Sequence, residues 1–210
     1  MKLFKRLFNF YIFSNMHVAL ATYCLVKITL VQYNITENKS ALFVFFSTIL
    51  SYNFIRYFNI SVIETKTSHW IKTHRKSLIT LNSISFIFLI YLLFTLRFES
   101  IFLLIPFTLA TVFYIVPIYP IKKNLRSVAT LKLFLIAISW AGVTVLFPLI
   151  QLEIYFSNNV WILFLQRFLL VLAITIPFDL RDLNYDKIEL KTLPQLIGVQ
   201  KSKFIGILAI

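Results

Sequence analysis

Residues 159–186 read NVWILFLQRFLLVLAITIPFDLRDLNYD. The first part, 159–178, is an apolar run of the length needed to cross a bilayer, about 20 residues. The rest holds three aspartates, Asp179, Asp182 and Asp186, among only eight acidic residues in a chain of formal net charge +13. Their spacing, i, i+3 and i+7, places all three carboxylates on one face if the helix continues. Carboxylates crowded in this way repel unless something positive lies among them. A divalent cation carrying a phosphate ester fits, because Mg²⁺ takes one or two carboxylates and completes its shell with phosphate oxygens and water. An ordinary solvated loop, its acids balanced by Arg181 and Lys187, is the plainer alternative.

Outward from this stretch the composition sets the class. Hydrophobic residues make up 59% of the chain and charged residues 14%, and mean hydropathy is +0.83. That excludes an ordinary soluble domain. A lone cysteine, Cys24, excludes a disulfide framework and reads as a small core residue. The expected fold is all-α, a polytopic transmembrane helix bundle forming one integral-membrane domain over 1–210. Six spans are expected, at 15–33, 41–61, 78–97, 101–120, 131–150 and 159–178. A seventh begins near Phe204 and reaches Ile210, so the chain reads as cut off inside a helix.

Charge sets the expected orientation. Of the 21 lysines and arginines, 16 lie in the N-terminal arm or in the connections after the second, fourth and sixth spans. The positive-inside bias then puts the N-terminus and those connections in the cytoplasm, as in a bacterial inner membrane. Anionic lipid headgroups suit such a surface. A nucleic-acid partner is not expected, because the basic residues are dispersed among spans. Lys27, Arg56 and Arg167 lie within spans, where an uncompensated charge costs roughly 2.5–3.5 kcal/mol. Lys27 can snorkel, and Arg167 should face protein or water. His17, His69 and His74 lack the spacing of metal ligands.

DLRDLNYD followed by KTLPQLIG resembles the second aspartate motif of the UbiA superfamily of intramembrane prenyltransferases. The matching positions are Asp179, Asp182, Asp186, Thr192, Leu193, Pro194 and Gly198. Tyr114, Pro117, Tyr119, Pro120, Lys122, Lys123 and Arg126 resemble the basic stretch which that family carries after its fourth helix. The resemblance implies a nine-helix fold, of which this chain covers the first six helices and the start of the seventh. It implies Mg²⁺ held by Asp179, Asp182 and Asp186, with Lys122, Lys123 or Arg126 against the departing diphosphate. Simple topology-setting charges are the alternative for those lysines. The donor would be an isoprenyl diphosphate and the acceptor an aromatic or lipid molecule.

The family's first aspartate motif is altered here. Its asparagine is kept as Asn53, but its two aspartate positions hold Tyr57 and Ser61, with Glu64 just beyond. Asn53, Arg56, Tyr57, Tyr114 and Arg126 are therefore the expected substrate-binding positions. Two further readings stay open. One is a non-catalytic relative that binds a polyprenyl lipid. The other is a transporter component, suggested by Arg167. Oligomeric state is not legible.

Overall fold

The computed structural model describes residues 2–59, 66–115, 131–183 and 192–209. The side chains of Lys2, Phe58, Asn59, residues 66–68, Tyr114, Ile115 and Asp182 fall outside that description. Every regular element among the described residues is helical. Two compact units divide the chain, Met1–Ile101 and Phe102–Ile210.

The first unit contains α1 (Lys2–Phe13), α2 (Met16–Gln32), α3 (Lys39–Asn59), α4 (Lys66–Thr73) and α5 (Arg75–Leu93). Its core is a seam between α2 and α3. Ala19, Thr22, Val26, Thr29 and Leu30 recur every three or four residues on α2 and are buried. They meet Ala41, Val44, Thr48 and Ile49 of α3, which are buried too. Small side chains let apolar helices approach closely. A polar step in the seam is satisfied: the Thr22 and Thr48 hydroxyls lie 3.0 Å apart, so one donates to the other, and the accepting hydroxyl keeps its own proton for a backbone carbonyl of its helix.

The turn between α2 and α3 is built from polar side chains. Glu37 accepts the Ser40 N–H at 3.0 Å, an N-terminal cap for α3. Lys27 reaches up its helix to donate to the Glu37 carbonyl at 3.0 Å and to Asn38 Oδ1 at 2.8 Å, the expected snorkelling. Cys24 is exposed, contrary to its reading as a core residue. On an apolar helix the face turned away from the seam is apolar as well, so a thiol has no reason to prefer the inside.

The second unit contains most of α6 (Phe98–Ile115), then α7 (Leu131–Ala141), a π-helical turn (Gly142–Leu146), α8 (Phe147–Gln151), α9 (Asn158–Asp182), α10 (Leu193–Ile197) and α11 (Val199–Leu208). Leu133 and Ala137 of α7 pack against Val171, Leu172 and Ile176 of α9. α11 packs on the same helix at Gly206, where an added Cβ would make ordinary van der Waals contact with Ile176 at 3.6 Å. At Gly142 the Phe107 ring occupies the place of a missing side chain, 2.0 Å from where a Cβ would stand. Gly198, at φ 86 and ψ 161, turns α10 into α11 in a conformation essentially reserved for glycine.

Apolar residues lie outside as well as inside. α5 buries only Ser85 and Leu92, while Ile79, Ile84, Phe86, Ile87, Phe88 and Tyr91 are exposed. A helix apolar all round and bare on most sides suits lipid, not water. Among the described residues three helices are long and apolar enough to cross a membrane: Arg75–Leu93, Leu131–Gln151 and Asn158–Arg181. Leu3–Phe13 and Met16–Gln32 pass together but are bent by 65°, and as one span they make a fourth. The expected count of six is not reached among the described residues. The spans expected at 41–61 and 101–120 both run past them, and the apolar part of α6 that is described, Phe98–Phe113, is short.

Candidate functional site

The apolar run continues without a break into the first residues of the acidic stretch. α9 extends to Asp182, so Asp179 and Asp182 occupy backbone positions one turn apart at its C-terminal end. Pro177 lies just before them inside the helix. Lacking an N–H, it leaves the carbonyl four residues earlier without its usual donor. Asp179 is 2% exposed. Its Oδ1 accepts a hydrogen bond from Lys132 Nζ at 2.7 Å. Lys132 stands in the first turn of α7, so this contact closes one end of the α7–α9 pair. The lysine is about one quarter exposed and the aspartate hardly at all. On either side of Asp179 in the sequence, Phe178 and Arg181 meet: the Arg181 guanidinium lies 5.4 Å from the Phe178 ring centre, a cation–π arrangement.

Lys132 was the residue the sequence concealed. It sits at the start of an apolar span, where it reads as one more topology-setting charge. Lys122, Lys123, Arg126, Asp186 and the side chains of Asp182 and Tyr114 lie outside the described residues. Among the described residues no three His, Cys, Asp or Glu side chains come together as a metal set. Asp179 itself offers the hard oxygen donors that Mg²⁺ prefers. One or two carboxylates suffice when phosphate supplies the rest of the shell, so the donor chemistry fits. One Asp179 oxygen is already engaged by an ammonium, which is also the partner a diphosphate oxygen would seek.

Beyond Asp186 the TLPQLIG stretch forms α10. Gln195 Oε1 accepts the Thr192 N–H at 2.9 Å, half of a capping box. Pro194 sits in the first turn, where a missing N–H costs nothing. Leu193 joins the α7–α9 core. Local chemistry therefore accounts for the threonine, proline and glycine of that stretch.

The expected substrate residues of α3 are engaged elsewhere. Asn53 accepts from Asn15 Nδ2 at 2.8 Å and donates to Asn82 Oδ1 at 2.7 Å. The three amides form a chain across α2, α3 and α5. Arg56 donates to the Phe13 carbonyl, which α1 leaves unsatisfied where it ends. Tyr57 is 68% exposed. Asn82 lies inside a run expected to span, and an asparagine there was the available signal for this chain of amides.

Arg167 is 4% exposed and faces protein, as expected. Its Nη1 donates to Thr144 Oγ1 at 2.9 Å, within the π-helical turn. Thr144 in turn donates to the Trp140 carbonyl at 2.7 Å. A π turn widens the helix by one residue. No family model, curated protein or solved structure matches this chain.

Proposed function

We propose that the chain is a Mg²⁺-dependent intramembrane prenyltransferase of UbiA type, moving an isoprenyl group from its diphosphate to a lipophilic acceptor. The observation that carries this reading is the Asp179–Lys132 pair: a buried carboxylate bonded to an ammonium, at the end of two long apolar helices. Such a place serves an amphiphile whose tail dissolves among the spans and whose charged head stays at their end. In this reading the N-terminus and the basic connections lie on the cytoplasmic side of a bacterial inner membrane.

Asp179, with Asp182 and Asp186, would hold Mg²⁺, and the ion would supply neutralisation of the diphosphate. Lys132 does two things in this reading. It holds the Asp179 carboxylate in a fixed orientation while the site is empty of substrate. When the diphosphate arrives, its ammonium offers a donor to the oxygens on which charge grows as the carbon–oxygen bond breaks. Lys122, Lys123 and Arg126 add positive charge from the same connection. Apolar and aromatic residues of the spans exclude water from the allylic cation until the acceptor captures it.

The test is transfer of a labelled isoprenoid by the protein in membranes containing Mg²⁺. Lys132→Met should lower turnover about 100-fold, the size of losing one donor to developing charge. Asp179→Asn should abolish Mg²⁺ dependence together with activity. Undiminished transfer by Asp179→Asn refutes the assignment.

One observation favours a second reading. Asn53 spends both ends of its amide on Asn15 and Asn82, and the two aspartate positions beyond it hold Tyr57 and Ser61. A non-catalytic protein that binds a polyprenyl lipid needs no carboxylates there. That reading expects lipid binding of equal strength with Mg²⁺ and with chelator.

A further inference from the structure

The N-terminal helix has a face that the bundle does not use. On α1, residues Leu3, Phe4, Leu7 and Phe8 are 70, 74, 61 and 53% exposed. At 100° per residue they fall on one side of the helix, with Lys5, Arg6 and Asn9 on the other. Lys5 and Arg6 are exposed as well. The far end of the helix is different: Phe10 and Phe13 pack on Trp70 of α4, at 6.0 and 5.2 Å between ring centres.

The direction of α1 is built in. Asn15 adopts the left-handed conformation, φ 64, which asparagine tolerates better than most residues. Its side chain is tied to Asn53 of α3. Arg56 binds the Phe13 carbonyl that the break would leave open. The result is a 65° bend between α1 and the apolar helix α2. If α2 lies along the bilayer normal, α1 runs much nearer the membrane plane than the normal.

We infer that α1 is an interfacial helix, lying in the headgroup region of an anionic leaflet with Leu3, Phe4, Leu7 and Phe8 in the acyl boundary. Lys5 and Arg6 face the headgroups. Charge complementarity favours this occupant over a protein partner. The exposed cations Arg75 and Lys76 begin α5 directly after α4, the helix on which Phe10 and Phe13 of α1 pack. A basic amphipathic helix binds through buried apolar area plus attraction to anionic lipid. An exposed apolar face at the mouth of a bilayer-spanning bundle has that lipid beside it already. This inference stands on the first unit alone and does not depend on the enzymatic reading.

The experiment uses the full chain in nanodiscs, with Cys24→Ser as background. Nitroxide labels are placed at Leu7→Cys and, separately, at Lys5→Cys. Collision with oxygen, which concentrates in lipid, is compared with collision with a water-soluble nickel chelate. In bilayers containing phosphatidylglycerol, position 7 should favour oxygen and position 5 the chelate. Adding Lys5→Glu and Arg6→Glu to the Leu7→Cys protein should shift its label toward the chelate. A phosphatidylcholine-only bilayer should shift it the same way. Equal behaviour at positions 5 and 7 overturns the proposal, as does a depth indifferent to lipid charge. A label at position 7 shielded from both reagents overturns it too, and assigns the face to a second copy or another protein.

Discussion

The Asn15–Asn53–Asn82 chain and the Lys132–Asp179 pair both join helices through polar side chains, but they do so with different chemistry. The amides are neutral, each gives and takes, and together they tie α2, α3 and α5. Removing one weakens a junction. The ion pair has one nearly inaccessible member and one partly exposed member. Removing the exposed member leaves a charge stranded. The first arrangement suits a fixed scaffold. The second holds a charge that an incoming ion or diphosphate could take over. This asymmetry is why the proposed chemistry is assigned to α9 and not to α3.

Lys132→Met should have the largest effect on stability, about 3 kcal/mol, because it leaves the Asp179 carboxylate buried without its partner. Unfolding in mild detergent by a graded denaturant measures this. Asp179→Asn should cost clearly less, since the remaining ammonium can turn to water. Equal losses would show that the pair is not asymmetric in the way its burial implies.

Asn53→Leu comes next, at about 1–2 kcal/mol. It strands a donor on Asn15 and an acceptor on Asn82 in a partly buried site. The same unfolding measurement applies. A loss as large as that of Lys132→Met would erase the distinction between the two regions.

Replacing both members of the ion pair, Lys132→Met with Asp179→Leu, should restore stability close to that of the parent, because a packed apolar pair needs no compensation. Prenyl transfer should stay lost. Recovery of stability without activity would separate the pair's structural role from its chemical one.

The smallest effect belongs to an exposed pair used as a reference. Arg97 Nε lies 3.4 Å from Glu99 Oε2, with the carboxylate mostly in water. The Glu99 carboxyl is held below its usual range, first by a backbone hydrogen bond at its own residue and then by Arg97. Its contribution is therefore present above the ordinary carboxylate range and fades as pH falls through the lowered value. Glu99→Gln should leave the melting temperature unchanged within error at pH 7, and any difference from the parent should vanish on acidification. A large shift at pH 7 would mean that exposed charges matter here as much as buried ones.

The residues themselves were enough for the helical class, because runs of 20 apolar residues can satisfy their backbone in lipid only as helices. The turn chemistry of Thr192, Pro194 and Gly198 is local too, although in the sequence those residues stand out only as positions of a family motif. Lys27 and Arg167 were legible because a charge in an apolar run has few affordable places to go. The span count was less legible: hydropathy does not register a bend, and the left-handed Asn15 turns what reads as a basic arm and one span into two helices at 65°.

What only tertiary structure decided was which polar groups meet. Lys132 and Asp179 are 47 positions apart, and Asn15 and Asn53 are 38 apart. No periodicity links such distances. Their pairing follows from how α7 packs on α9 and α2 on α3, because a polar group removed from water must find its partner on whichever helix the apolar seam has brought alongside.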